Sequence, residues 1–321
     1  MKLTSNMKSC TAVAPSSTAN LGPGFDVFGL GLDPLADRVR ITRGPRKSGR
    51  IVIRMSGEKG SAIPSGPDSN TAGVVVRKMA EDFGVEDDLS IHVFKGVPTG
   101  LGLGSSAASA AAAAVAFDRL FNLKIGKREL IGYAAEGEIA SAGTKHYDNV
   151  SASVLGGFVI VRSSPELDFI RIDPPGDLVL VIAAPLMEVP RRKTEFARSF
   201  LPKKVPLKGL IHNVSNASTI VAGFLLKDVE LISKGIDDAI VEPARRHLIP
   251  GYDRVRGNAL RAGALAVAIS GAGPSMISFL KTDREGRGVA RAMASGFKKT
   301  GVGCRTFICH PSQGARIIQI S

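Results

Sequence analysis

From Gly96 to Phe117 the chain reads GVPTGLGLGSSAASAAAAAVAF and carries no charged side chain. A segment this apolar and this small-residued belongs inside a fold. Before it, LSIHVFK places Ile91 and Val93, with Lys95 in the same phase, opposite His92 and Phe94, the alternation of a strand. Val97 and Pro98 keep the backbone extended, and a turn must follow. Gly100, Gly102 and Gly104 allow positive φ and close approach of an anion to the main chain, while Ser105 and Ser106 sit where a new helix begins. Alanine is the strongest helix former, so the run up to Phe117 is predicted to be a buried helix.

Strand, glycine loop and helix N-terminus together make an anion site, because unpaired N–H donors and the positive helix end converge. A Walker loop would need a lysine after the glycines, and a dinucleotide loop would need a third glycine where Ser105 stands. Neither pattern is met. A glycine turn leading into a tightly packed helix explains the same residues, so this stretch alone leaves both readings open.

The chain of 321 residues is long enough for about two domains, and its 44% apolar content is that of a globular protein. Without tryptophan and with three tyrosines, it offers little aromatic surface for stacking nucleic-acid bases. MKLTSNMKSC lacks the apolar run of a signal peptide. The uncharged window worth testing as a membrane span, Ala262 to Leu280, is interrupted by Gly271, Gly273 and Pro274 and reads as a buried segment with a loop. Cys10, Cys304 and Cys309 have neither disulfide-framework nor zinc spacing, so a reducing cytoplasm is expected, and any metal should be Mg²⁺ held by oxygen atoms.

The formal charge of +13 is uneven. Residues 38–54 carry seven basic side chains and no acid, and Val39, Ile41, Ile51 and Ile53 alternate with them as in two strands of a solvated hairpin. Residues 188–208 carry seven more, among them Arg191, Arg192, Lys193 and Arg198, against two glutamates. Such surfaces attract nucleic acid or steer an anionic nucleotide, and charge alone does not choose.

Strands are predicted at Ser9–Ala14, Ala36–Thr42, Arg50–Met55, Ser90–Lys95 and Gly157–Val161, and helices at Thr71–Phe83, Ser105–Phe121 and Lys127–Ser141. Leu178–Pro185 opens a second half with late strands near Leu265–Ser270 and Met276–Lys281. The charged, proline-containing stretch Arg162–Asp177 is the expected boundary. The fold class is α+β, with domains expected at 1–165 and 166–321.

Four further stretches carry potential chemistry. APSSTANLGPGFDVFGLGLD, Ala14 to Asp33, reads as a glycine-rich loop presenting hydroxyls, Asn20 and Asp26. In EGEIASAGTKHYDNVSASVLGGF a helix ending at Gly143 would let the chain return, bringing Glu138 and Asp148 to one place, with His146 and Asn149 beside them. VEPARRHLIPGYDRVR sets Arg245 and Arg246 between two prolines. AISGAGPSMISF is strand, loop and strand, with a loop that permits close backbone approach.

Taken in order, SSTANLGPGFD, PTGLGLGSSAA, HYDNV, EPAR followed by LIPG, and SGAGPS resemble the GHMP family of small-molecule kinases, and within it the branch that acts on homoserine. The resemblance runs from about Ala12 to beyond Ser278. It implies an N-terminal ribosomal-S5-like domain and a C-terminal ferredoxin-like α/β domain. It also implies that the Pro98–Ala107 loop (Pro98, Thr99, Gly100, Leu101, Gly102, Leu103, Gly104, Ser105, Ser106 and Ala107) wraps the phosphates of ATP, with Asn70 near the adenine. Ser106 and Glu138 would hold Mg²⁺, and backbone donors would replace the Walker lysine.

For the acceptor, the resemblance implies L-homoserine surrounded by Asn20, Asp26, His146, Asp148, Asn149 and Gly271. Arg198 and Arg245 would meet its carboxylate, since guanidinium matches carboxylate in a two-bond fork, and Asp148 its ammonium. Ala14-Pro15-Ser16-Ser17 stands where mevalonate-type relatives have Ala-Pro-Gly-Lys, so a lysine-assisted aspartate base is missing. Catalysis would then rest on positioning, with Asn149 orienting the acceptor hydroxyl, and on the charge held by Ser106 and Glu138. A homodimer is a family-level expectation, and no nucleic acid or membrane is expected. Two alternatives stay open: a relative acting on another small alcohol such as mevalonate or shikimate, and a basic RNA-binding protein whose affinity would fall steeply with salt.

Overall fold

The structure is a computed structural model that describes residues 6–58, 60, 63–163, 165–190 and 193–321. It opens on a long hairpin of β1 (Ser9–Asn20) and β2 (Gly24–Arg43), paired from Ser9↔Thr42 to Asn20↔Gly24 with register shifts after Pro15 and Ala19. Every residue of β1 is buried. The expected loop over Ala14–Asp33 is therefore mostly strand, and only the turn at Leu21–Pro23 interrupts it. Serines and a threonine serve there because the segment is buried but its polar groups are paired: β2 runs along one edge, Ser17 N donates to Leu103 O and Ala19 O accepts from Gly271 N on the other, and Ser16 Oγ donates to Leu32 O.

β3 (Ile51–Gly57), α1 (Thr71–Phe83) and β4 (Leu89–Lys95) follow as a strand–helix–strand unit with β3 parallel to β4. The hairpin expected over residues 38–54 does not form, because β4 inserts between β2 and β3. The physical reason lies in α1. Its buried face, Val75, Val76 and Met79, must cover the sheet, and the crossover it makes delivers β4 to the central position. The basic 44–50 connection instead folds on the acids before β4: Arg43 pairs with Asp87 at 2.9 Å, and Asp88 accepts from Ser48 and Arg50 N–H groups.

Next come α2 (Ser105–Phe121), α3 (Lys127–Ala142), α4 (Tyr147–Leu155), β5 (Phe158–Arg162) and β6 (Asp168–Ile172). Alanines 110–114 of α2 are fully buried, and their small side chains let the helix lie close to β1 and β2. Phe117, Phe121, Ile41, Ile91 and Met79 fill the core between the helices and the first sheet. Truncating a fully buried phenylalanine such as Phe117 to alanine would cost about 3–5 kcal/mol.

The second sheet contains β7 (Val179–Leu186), and after it the chain forms α5 (Lys193–Ser199), α6 (Leu207–Leu226), α7 (Val229–Lys234), α8 (Val241–Arg245) and α9 (Tyr252–Arg261). β8 (Ala266–Ile269), β9 (Met276–Leu280), α10 (Asp283–Lys298) and β10 (Gly303–Cys309) complete it in the antiparallel order β10-β7-β9-β8. The last strand, β11 (Arg316–Ile320), returns to the first sheet beside β1. A second core of Leu30, Phe158, Leu180, Phe224 and Phe279 joins the two sheets, and a third lies under α9 and α10.

Candidate active site

At the end of β4 the inward-facing position belongs to Lys95, where an apolar residue would ordinarily stand. The fold compensates it. Its Nζ pairs with Asp37 of β2 and donates to Ser105 O at 2.8 Å and Ser109 Oγ at 2.8 Å. Asp37 in turn accepts from the N–H groups of Gly96 at 2.9 Å and Val97 at 3.0 Å and from Ser109 Oγ at 2.6 Å. This buried knot clamps the exit of β4 to the first turns of α2. The glycine loop therefore hangs between two fixed ends.

The loop glycines have φ of +76° at Gly100, +80° at Gly102 and +63° at Gly104. Crowding makes two of them obligatory. A Cβ on Gly102 would stand 2.3 Å from Ser270 O, and one on Gly104 would stand 2.0 Å from Ser17 Oγ. Gly104 is also the N-cap of α2 and brings no side-chain cap, so the positive helix end opens directly on the cavity. Thr99, Gly100, Gly102, Leu103, Gly104, Ser105 and Ser106 line that cavity. Pro98, Leu101 and Ala107 stand behind its wall: Pro98 and Ala107 are buried, and Leu101 packs into the second core while its carbonyl accepts from Ser275 N.

The cavity encloses about 320 Å³. Asn70 lies on its wall as the N-cap of α1, with its Oδ1 accepting from Ala72 and Gly73 N–H and its Nδ2 donating to Pro64 O at 2.7 Å. Its amide is thus committed to holding α1.

The same cavity gathers every residue singled out for an acceptor: Asn20, Asp26, His146, Asp148, Asn149, Arg198, Arg245 and Gly271 all line it. Asn20 (φ +74°) and Asp26 (φ +60°) adopt left-handed backbone as the hairpin turns. Asn20 Nδ2 donates to Gly271 O at 2.7 Å and its Oδ1 accepts from Asp26 N at 3.1 Å, which ties the turn to the Ser270–Ser275 loop. Asp26 forms an ion pair with Arg198 at 2.6 Å. The guanidinium carbons of Arg198 and Arg245 lie 5.1 Å and 5.0 Å from the ring centre of Phe25.

Arg245 is buried, and its Nε donates to Ala197 O at 3.2 Å. Burial, followed by the nearby Arg198 charge, lowers its pKa to about 10. Asp148 is buried too, and burial, followed by the charge of Asp26, raises its pKa to about 6. α3 ends at Gly143 in left-handed conformation and α4 starts after His146, so Glu138 and Asp148 do converge on one wall. His146 Nδ1 lies 3.4 Å from Glu138 Oε2. Burial works against the imidazolium, but the Glu138 hydrogen bond and the charges of Glu138 and Asp148 prevail and raise its pKa. Asn149 Oδ1 accepts from Ser17 Oγ at 3.1 Å while its Nδ2 donates to Asp148 at 3.2 Å.

Several residues in or behind the lining receive no role from the sequence reading. Phe25 lines the cavity, while Ser17 and Asp37 stand behind it and act through neighbours distant in sequence. Lys193 looks like one more surface cation, yet its Nζ donates to Gly273 O and the group is pulled down to about 7 by burial and then by Arg245. Arg191 and Arg192 of the same basic stretch lie outside the described residues. Lys95 did carry a signal, a charge in the inward phase of a strand, which demands a buried acid. Among the described residues no three His, Cys, Asp or Glu side chains come together as a metal site. Ser106 and Glu138 offer one hydroxyl and one carboxylate on the cavity wall, a donor set that fits Mg²⁺, which keeps waters and phosphate oxygens as its other ligands.

Comparison with known proteins identifies the family and the fold. Residues 70–157 match the GHMP kinases N terminal domain and residues 220–299 the GHMP kinases C terminal domain. The homoserine kinase of Thermoplasma volcanium is 39% identical over 95% of this chain and 96% of its own length. The crystal structure of homoserine kinase from Cytophaga hutchinsonii superposes with a TM-score of 0.91 at 35% identity, covering 99% of this chain and 100% of that one. Mevalonate kinase of L. major, at 13% identity and a TM-score of 0.68 over 97% of each chain, shares the fold. The chain belongs to the GHMP kinases, and within them to the homoserine kinases.

Proposed function

We infer that the protein transfers the γ-phosphoryl group of ATP to the side-chain hydroxyl of L-homoserine, giving O-phospho-L-homoserine for threonine biosynthesis. One observation carries the acceptor assignment. Beside the glycine loop, a single wall presents two guanidinium groups, Arg198 and Arg245, and two carboxylates, Asp26 and Asp148. Charges of both signs at close quarters suit a zwitterion better than a hydroxy acid. The arginines take the α-carboxylate and Asp148 the ammonium.

In this reading residues 1–165 supply the phosphate loop and residues 166–321 complete the acceptor side. The loop from Pro98 to Ala107 and the start of α2 hold the triphosphate by backbone N–H groups, and Lys193 adds a charge beside them. Ser106 and Glu138 would hold Mg²⁺, which supplies charge neutralisation to the phosphoryl group when bound. The acceptor oxygen bonds to the γ-phosphorus as the bond to the bridging β,γ-oxygen breaks, and ADP leaves. The hydroxyl proton passes to a phosphoryl oxygen, so no side-chain base is required. Asn149, fixed by Ser17 and Asp148, orients the acceptor hydroxyl, making proximity the main source of rate. Cys10, Cys304 and Cys309 are all free thiols, which supports a reducing, cytoplasmic setting.

The test is ADP release by the purified protein with Mg-ATP and, separately, L-homoserine, mevalonate, shikimate, galactose or no acceptor. Turnover confined to L-homoserine is expected. Equal turnover of a hydroxy acid would overturn the acceptor assignment while leaving the phosphate loop intact.

A further inference from the structure

The connection from β7 into α5 lies against the glycine loop. Val189 and Lys193 both line the cavity, and a Cβ on Gly100 would stand 2.6 Å from Val189 Cγ2. Lys193, the first residue of α5, donates from Nζ to Gly273 O. That carbonyl is itself pressed on the loop, since a Cβ on Gly102 would stand 2.7 Å from it. The amine is therefore pinned beside Gly102, and the charge that acts on it is that of Arg245 in α8.

No acid compensates Lys193. Of the carboxylates lining the cavity, Asp26 pairs with Arg198, Glu138 faces His146 and Asp148 accepts from Asn149. None of them acts on the lysine, and the glycine loop and the Ser270–Ser275 loop beside it carry no charged side chain. Burial, followed by the charge of Arg245, pulls the group down to about 7. Lys95 lines the same cavity yet reaches a carboxylate and two further oxygens. An ammonium has three donors, and Lys193 spends one on a neutral carbonyl. A desolvated cation so placed is completed by an anion that arrives with the ligand.

We propose, on the reading of the cavity as a phosphotransfer site, that Lys193 clamps the terminal phosphoryl group of the nucleotide and is the residue by which the site tells a nucleoside triphosphate from a diphosphate. Position selects that group. A triphosphate held by the glycine loop turns its last phosphorus toward the acceptor, and Lys193 stands where the loop at Gly102 comes under the influence of Arg245. The inner phosphates have the backbone N–H groups and the start of α2. A diphosphate ends short of the lysine and leaves it with Gly273 O alone. Above pH 7 the amine is mostly neutral, so it takes up a proton as the phosphoryl group arrives.

Isothermal titration calorimetry without acceptor tests this. Mg²⁺ with ATP, or with ADP, is titrated into wild type, into Lys193→Met, and into Lys203→Met as a control for the exposed lysines of the same basic stretch. Lys193→Met should weaken ATP by about 10–100-fold, the effect of a lost charge-assisted hydrogen bond, and ADP by less than about threefold. Lys203→Met should change neither. Lys193→Gln, which can keep the bond to Gly273 O without the charge, should repeat the loss, with circular dichroism unchanged in each variant. At about pH 8, buffers of different ionisation enthalpy should show a proton taken up with ATP by wild type and not by Lys193→Met. Equal losses for ATP and ADP would place the lysine on the inner phosphates and overturn the proposal. So would unchanged nucleotide affinities with a raised KM for L-homoserine, which would assign the lysine to the acceptor carboxylate. A wild type that binds neither nucleotide would overturn the phosphotransfer reading and this inference with it.

Discussion

Two charge clusters flank the start of α2, one wholly buried and one half-open, and they are built on opposite terms. Behind the phosphate loop, Asp37 and Lys95 are saturated: the carboxylate accepts from two backbone N–H groups, a serine and the lysine, and the ammonium reaches three oxygen partners. On the acceptor wall the charges are compensated less fully. Arg245 is crowded by Arg198 and Asp148 by Asp26, and burial pushes each toward its neutral form. Buried Arg198 Nε meets no hydrogen-bond partner among the described residues. The first cluster is finished by folding, whereas the second, in the proposed function, is finished by a ligand of both charges.

This contrast predicts opposite phenotypes. Arg245→Met should lower kcat/KM for the acceptor by about 10²–10³-fold, the ~3–4 kcal/mol expected when a buried carboxylate loses its guanidinium. It should leave Tm unchanged or slightly raised, since a desolvated cation is removed. Steady-state kinetics and thermal melting on the same preparation check both halves. A variant that melts several degrees lower with nearly normal kinetics would place Arg245 in the first category.

Asp37→Ala should do the reverse. Lys95 would be left buried without its carboxylate, at a cost of about 3–5 kcal/mol in unfolding free energy, read by denaturant titration. Acceptor KM measured well below the new Tm should move little. An apolar pair, Asp37→Leu with Lys95→Met, should recover part of the lost stability but not the anchoring of Gly96 and Val97, so ATP KM should rise.

The third effect depends on pH. Asp148 must be ionised to hold an ammonium, and its pKa is raised from 3.8 to about 6. The kcat/KM for L-homoserine should therefore climb about tenfold per pH unit below 6 and level off above it. Stability runs the other way. The folded state binds this proton more tightly than the unfolded chain, so the contribution is present at low pH and is lost as pH rises from 3.8 through 6. Asp148→Asn should flatten both limbs and weaken the amino acid more than a hydroxy acid. A pH–rate limb unchanged in that variant would assign it elsewhere.

How much of this could be read from the sequence follows from where each interaction lies along the chain. Thr71–Phe83 and Ser105–Phe121 were legible to the residue, because Asn70, Gly84 and Gly104 mark helix ends by local chemistry. The hairpin over 38–54 was misread because strand order is non-local: nothing within those residues says that β4 will part them. Ala14–Asn20 looked like a loop since its serines and its threonine are polar, yet their hydroxyls find partners inside, as Ser16 does at Leu32 O and Ser270 at Thr18. At the site, motif residues converged because motifs record what a ligand touches. Asp37 left no comparable trace, Lys193 read as one more cation of a basic stretch, and Ser17 stood in a motif without a role, because what each does depends on contacts that only the fold creates.

Ser17 gives the smallest effect and the finest test of the contrast, for it stands between the two clusters. Its backbone N–H donates to Leu103 O of the phosphate loop at 3.1 Å, and its hydroxyl donates to Asn149 Oδ1 on the acceptor wall at 3.1 Å. That bond dictates which way the Asn149 amide faces. Removing the hydroxyl in Ser17→Ala keeps the backbone link and deletes only the orientation, worth about 1 kcal/mol for a neutral hydrogen bond. A drop in kcat of roughly fivefold, with both KM values and Tm nearly unchanged, is the expected result. If orientation is the whole of its role, Ser17→Ala should add nothing in an Asn149→Ala background. Additive losses would instead tie Ser17 to the phosphate loop, and the two clusters would then act as one.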